Sequence, residues 1–159
     1  MDKHALIEQI RAALEAELAT VAASAATAKR EATHEEAKPE NEYDTRGLEA
    51  SYLAGAQEGR ARDLAHRINN LEFVVLKDFG PADPIGLSAV VTLDDGERTR
   101  TYFIAPDGGG MKLTSPDGQI VAITTQSPVG RALVERKQGD IVEVRLRGAL
   151  TEFEVVEVC

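Results

Sequence analysis

The sequence predicts an α+β protein: an N-terminal antiparallel coiled-coil hairpin followed by a small antiparallel β-sheet domain with one short helix. Three observations predict it. Apolar residues recur at helical spacing through two long stretches of the first half, where alanine is concentrated. Beyond residue 86 the pattern changes to short alternating runs punctuated by AspGly turns. Between the helical stretches lies Glu31–Arg46 (EATHEEAKPENEYDTR), which holds Pro39, the only proline of the first eighty residues. A helix passing a proline loses a hydrogen bond and clashes one turn back. Two long helices interrupted there fold most simply as a hairpin with this stretch at its tip.

The first helix is expected from about Asp2 to Glu36. Leu6, Ile10, Leu14, Leu18 and Val21 form its stripe, and Ala25 and Ala28 continue it. At about 1.5 Å per residue such a helix is roughly 50 Å long, a length that suits a coiled-coil arm. The second helix is expected to start near Asp44 or Thr45, either of which caps well. Its stripe is Leu64, Ile68, Leu71 and Val75, thinning toward the tip to Leu53, Ala56 and Gly59. Small residues there, Gly47, Gly55 and Gly59 included, are expected to let the helices approach closely.

Lys77–Gly86 (KDFGPADPIG) is expected as a linker. This divides the chain into a hairpin over 1–76, the linker over 77–86 and a sheet domain over 87–159. Strands are expected at Leu87–Leu93, Arg98–Ile104, Ile120–Thr124, Ile141–Leu146 and Thr151–Val158, with turns at Asp95-Gly96 and Asp117-Gly118. Pro106–Gly110 reads as a loop. Ser127–Glu135 reads as a short helix with Ser127 as cap and Pro128 at its first position.

The 159 residues carry a net charge of −9 and a pI near 4.9, which argues against a coat for nucleic acid. The only cysteine is Cys159, so no intrachain disulfide forms and a reducing compartment is the default. The start MDKHALIEQI lacks signal-peptide order, and no apolar run approaches about 18 residues. A cytoplasmic protein with no membrane association is expected.

The tip is the leading candidate site. Glu31, Glu35, Glu36, Glu40, Glu42 and Asp44 face only Lys38 and Arg46 as compensating bases. Carboxylates so crowded repel one another unless something positive meets them. Magnesium is bound through oxygen ligands and needs only one or two protein carboxylates, so an acidic tip can complete a partner's metal site. His4, His34 and His66 are scattered and lack zinc-ligand spacing. Gly108-Gly109-Gly110 lacks the Lys-Ser/Thr pair of a phosphate loop. No nucleophile, base and orienter converge, so the chain is not expected to be an enzyme in itself. From tip charge alone, a coiled-coil adaptor binding a basic protein partner is a second reading.

SPVGRALVERKQGDIVEV (Ser127–Val144) followed by TEFEVVEV (Thr151–Val158) resembles the end of the Gre transcript-cleavage factors. Glu40-Asn41-Glu42-Tyr43 is similar to the Gre tip motif, and Glu58-Gly59-Arg60 to a pattern on the outgoing helix. The resemblance implies an FKBP-like C-terminal domain that docks without prolyl isomerase activity, with Ser127, Pro128 and Arg131 as docking residues. It implies bacterial RNA polymerase as partner, entered through its secondary channel, the chain acting as a monomer. The nascent RNA 3′ end would be met only inside that complex. In cleaving members two tip carboxylates help hold the polymerase's second Mg²⁺ and its attacking water. The family's aspartate, three residues before its tip glutamate, falls here on Ala37, with Glu36 one step further off. Glu40 is therefore one expected ligand of a shared Mg²⁺, and Glu36 or Asp44 the other. Both cleavage and regulation without cleavage stay open.

Overall fold

The computed structural model describes residues 1–33, 46–146 and 148–159. Contacts divide the chain into two compact units, one of Met1–Arg11 with Asn70–Cys159, the other of Ala12–Asn69. The division falls within the helices, so the first turns of α1 belong with the sheet, whereas the sequence boundaries at 76 and 86 follow composition.

Helix α1 runs Lys3–Thr33 and α2 runs Arg46–Glu72. The Asp2 carboxylate caps α1 by accepting from the Ala5 N–H at 3.1 Å. The expected α1 stripe is the buried one: Leu14, Val21, Ala25 and Ala28 are covered in the helical unit, and Leu18 is half-buried. On α2 the buried line is displaced by one residue near the tip. Leu53 is 52% exposed and Ala56 is exposed, whereas Ala54 is buried and Gln57 and Ala61 are half-buried. Counting back from Leu64 in alternating steps of three and four gives 61, 57 and 54, the period of a coiled-coil seam. Two interhelical pairs flank it, Arg60 to Glu17 at 2.6 Å and Lys29 to Glu58 at 4.0 Å.

Gly55 and Gly59 are not what brings the helices together. A Cβ built on Gly55 or Gly59 meets nothing within 4 Å, so the close packing rests on alanine. Gly55→Ala and Gly59→Ala should each stabilise the protein by about 1 kcal/mol through helix propensity, read as a higher urea midpoint. Helix α2 ends at Glu72, so Val75, expected on its stripe, lies beyond it and is 68% exposed. The β-branched pair Val74-Val75 disfavours another turn.

The second unit is built on a six-stranded sheet of β1 (Val90–Asp94), β2 (Thr99–Ile104), β3 (Lys112–Ser115), β4 (Gly118–Ile123), β5 (Ile141–Leu146) and β6 (Ala149–Val158). Their order is β3-β4-β2-β1-β6-β5. The fold class is as the sequence predicts, except that the sheet is mixed, because β2 and β4 pair in parallel. The difference comes from β3, which the sequence pattern does not predict. It forms a hairpin with β4 across Asp117-Gly118 and turns β4 to run alongside β2.

Asp95 organises the β1–β2 turn. Its carboxylate accepts from the Glu97 and Arg98 N–H groups at 3.1 and 3.0 Å, and Arg100 lies 2.9 Å away. The N–H bond from Arg98, then that from Glu97, holds its pKa below the usual carboxylate value.

One sheet face carries the main core, in which Val91, Tyr102, Ile104, Val142, Phe153 and Val155 pack with Ile85 and with Leu133 of α3 (Pro128–Leu133). Lys77–Gly86 packs rather than dangles. Ile85 is fully buried, its N–H donates to the Arg136 carbonyl at 2.7 Å, and its carbonyl accepts from the Glu135 N–H at 2.9 Å. On the other face the register places Val90, Phe103, Ala122 and Ile120, all buried. The first turns of α1 reach the β3 end of the sheet. The Gln9 side chain donates to the Thr114 carbonyl at 2.9 Å and accepts from the Thr114 N–H at 2.8 Å, occupying the free edge of β3. Ile10 sits so close to Gly108 (φ +80°) that a Cβ there would come within 2.6 Å of it. Buried Lys3 donates to the Lys77 carbonyl and lies 5.0 Å from the Phe79 ring centroid. Burial lowers its pKa from 10.5.

Candidate functional site

The expected tip residues Glu36, Glu40, Asn41, Glu42, Tyr43 and Asp44, with the Mg²⁺ pair Glu40 and Glu36 among them, lie outside the described residues. Among the described residues no group of three or more His, Cys, Asp or Glu is placed to hold a metal, and no helix is long and apolar enough to cross a membrane. His4 and His66 are exposed on separate helices. Of the outgoing-helix motif, Glu58 and Arg60 make the interhelical pairs described above.

The C-terminal docking candidates do fall together, at the start of α3. Thr124 precedes a turn in which the Ser127 hydroxyl donates to the Thr124 carbonyl at 2.8 Å and accepts from the Gly130 N–H at 3.0 Å. Ser127 is the N-cap and Pro128 follows it in the first turn, as the spacing predicts. Val129 is buried beneath the helix. Gly130 has no room for a side chain: a Cβ would stand 2.0 Å from the Thr124 carbonyl oxygen. Pro128 and Arg131 are exposed. The run SPVGR is therefore a compact corner. Ser127 and Gly130 make its geometry, Val129 anchors it, and Pro128 and Arg131 face solvent. Ser127→Ala should lower stability by about 1 kcal/mol, measured by denaturant unfolding, while leaving Pro128 and Arg131 in place.

KQGD is a second corner on the same unit. The Asp140 carboxylate accepts from the Lys137 N–H at 2.9 Å, Gly139 holds φ +87°, and the Gly139 N–H donates to the Val155 carbonyl at 2.8 Å. This joins the end of α3 to β6 and sets β5 in register. Sequence reasoning missed Gln9 and Lys3, which tie the first turns of α1 to the sheet and to Lys77 within the same unit. A single glutamine or lysine on a polar helix face carries no signal of such a role.

A family model described as "Transcription elongation factor, GreA/GreB, C-term" matches residues 80–159, which include both corners. The chain is 33% identical over 125 residues to "Transcription inhibitor protein Gfh1" of Thermus aquaticus, covering 74% of this chain and 73% of that one. It is 32% identical over 111 residues to "Transcription elongation factor GreA" of Azorhizobium caulinodans, covering 69% and 66%. A solved structure of Gfh1 from Thermus thermophilus aligns over 94% of each chain at 24% identity and a TM-score of 0.41.

Proposed function

Since the chain belongs to the GreA/GreB transcription elongation factor family, we propose that it binds bacterial RNA polymerase and works from the secondary channel. The observation that carries this reading is the family match over residues 80–159, whose SPVGR corner presents Pro128 and Arg131 outward. The sheet unit docks at the channel rim through them, and Ser127 holds them in place. The hairpin delivers Glu31–Arg46 to the polymerase's own catalytic metals. The chain supplies no reaction of its own. Its tip carboxylates, Glu40 with Glu36 or Asp44, share the polymerase's second Mg²⁺, which needs few protein ligands. In two-metal chemistry the pair of ions would clamp the attacking and leaving oxygens, the second supplying activation of the attacking water. The nascent RNA 3′ end is met only inside this complex, and the factor acts as a monomer in the cytoplasm.

Polymerase backtracked on a labelled transcript, with Mg²⁺ and this protein added, tests the proposal. Rapid shortening of the transcript identifies a cleavage stimulator. Slowed extension without shortening identifies a regulator of the kind that the name "transcription inhibitor" gives to Gfh1. Absence of both binding and effect overturns the proposal.

A further inference from the structure

The sheet face opposite the main core is covered at one end and open at the other. From β3 to β1 it carries the buried Leu113, Ile120, Phe103 and Val90. Past the Thr92–Thr101 hydroxyl pair (3.3 Å) its character reverses. There the register sets Glu143 directly opposite Glu152, and Glu154 between Ile141 on one side and Asp94 on the other. Like charges directly opposite one another in an antiparallel pair are destabilising. Glu143, Glu152 and Glu154 enter no ion pair among the described residues. On the same face Ile141 is 67% and Leu150 57% exposed. A groove of about 440 Å³ opens at this edge, lined by Ala132 and Arg136 from the α3 side and by Ile141, Glu143 and Glu152 of the strands.

Two local rules of sheet construction are thus broken in one place. Carboxylates stand opposite carboxylates, and the large apolar side chains that flank them, Ile141 and Leu150, meet water. Sites where a sequence gives up stability in this way mark function. One occupant relieves both: a protein surface carrying cations and apolar groups together. We propose that the open β5–β6 face is a docking surface for a basic amphipathic helix of a partner protein, its cations over Glu143, Glu152 and Glu154 and its apolar stripe over Ile141 and Leu150. Arg145, opposite Leu150, restricts the cations to the glutamate rows. The polymerase reading is not required for this surface to work.

The test uses the full chain and a short amphipathic helical peptide of lysines and leucines, followed by amide chemical shifts and titration calorimetry. Shift changes should map to β5 and β6, and affinity should fall as salt rises. A Glu143→Lys, Glu152→Lys double variant keeps the cross-strand repulsion and reverses its sign. It should bind the peptide about tenfold more weakly while melting near the wild-type temperature. Ile141→Ser with Leu150→Ser, charges untouched, should also weaken binding. Shift changes confined to Glu31–Arg46, or unchanged affinity in the double variant, overturn the proposal. So does binding that survives the loss of both apolar residues, since charge alone would then account for it.

Discussion

Glu40→Ala is expected to remove the protein's effect on transcription while leaving polymerase binding intact. The tip has carboxylates in excess, but a shared Mg²⁺ takes only one or two of them, in fixed positions. Losing one ligand forfeits placement of the ion and its water, and the remaining acids do not restore it. The rate of transcript shortening, or the degree of inhibition, should fall by about a hundredfold, the upper end of what disturbing a metal's supporting groups costs. Affinity should hold, because in the proposed complex docking rests on the corner at Ser127–Arg131, away from the tip. Rate and affinity measured separately on one polymerase preparation check this. A variant that has lost binding would make the tip a docking element, and moving the acids within the tip without loss of activity would favour an adaptor that reads charge alone.

The second large effect is expected at Gly130. Its φ is not left-handed, so substitution there is not a matter of backbone freedom. The obstacle is the Thr124 carbonyl oxygen, 2.0 Å from where a Cβ would stand, with the Ser127 hydroxyl at 3.0 Å. Both belong to the cap that starts α3, so neither can move without breaking the bonds that Ser127 makes to Thr124 and Gly130. Gly130→Ala should destabilise the protein by about 3 kcal/mol, the high end for overpacking a closed site, and disturb the presentation of Pro128 and Arg131. Thermal and urea unfolding give the first quantity. Polymerase affinity under conditions where the variant is fully folded gives the second, and it should fall. A variant of near wild-type stability would mean that the Thr124 turn yields more easily than its hydrogen bonds imply.

How far the sequence could be read depended on whether a feature repeated. The α1 stripe recurs over many turns, and it is the buried face. The start of α3 was legible because serine caps helices and proline suits a first turn; Gly130 carried no such signal, since what it supplies is space beside the Thr124 carbonyl. Asp95-Gly96 announced its hairpin through the same kind of local preference. By contrast β3 is four residues long, with Lys112 and Thr114 on its exposed side, too short for alternation to stand out between Gly110 and Pro116. On the outer part of α2 Leu53 looks like a core residue in the sequence, whereas the seam one residue further on is carried by Ala54. Lys77–Gly86 looked like a tether by its prolines and glycines, yet the single Ile85 anchors it. Gln9 gave no sign at all, since its role exists only once β3 has formed an edge.

The proposed action on transcription depends on the hairpin bringing Tyr43 and its neighbours to the polymerase's catalytic metals. A photoreactive benzoylphenylalanine in place of Tyr43, in full-length protein bound to a backtracked polymerase complex, tests it most directly. Crosslinks are expected to the polymerase segment that holds the catalytic Mg²⁺ or to the RNA 3′ end, and they should be lost when an established secondary-channel ligand competes. Crosslinks confined to the outer surface of the polymerase, from a complex whose binding is intact, would contradict it.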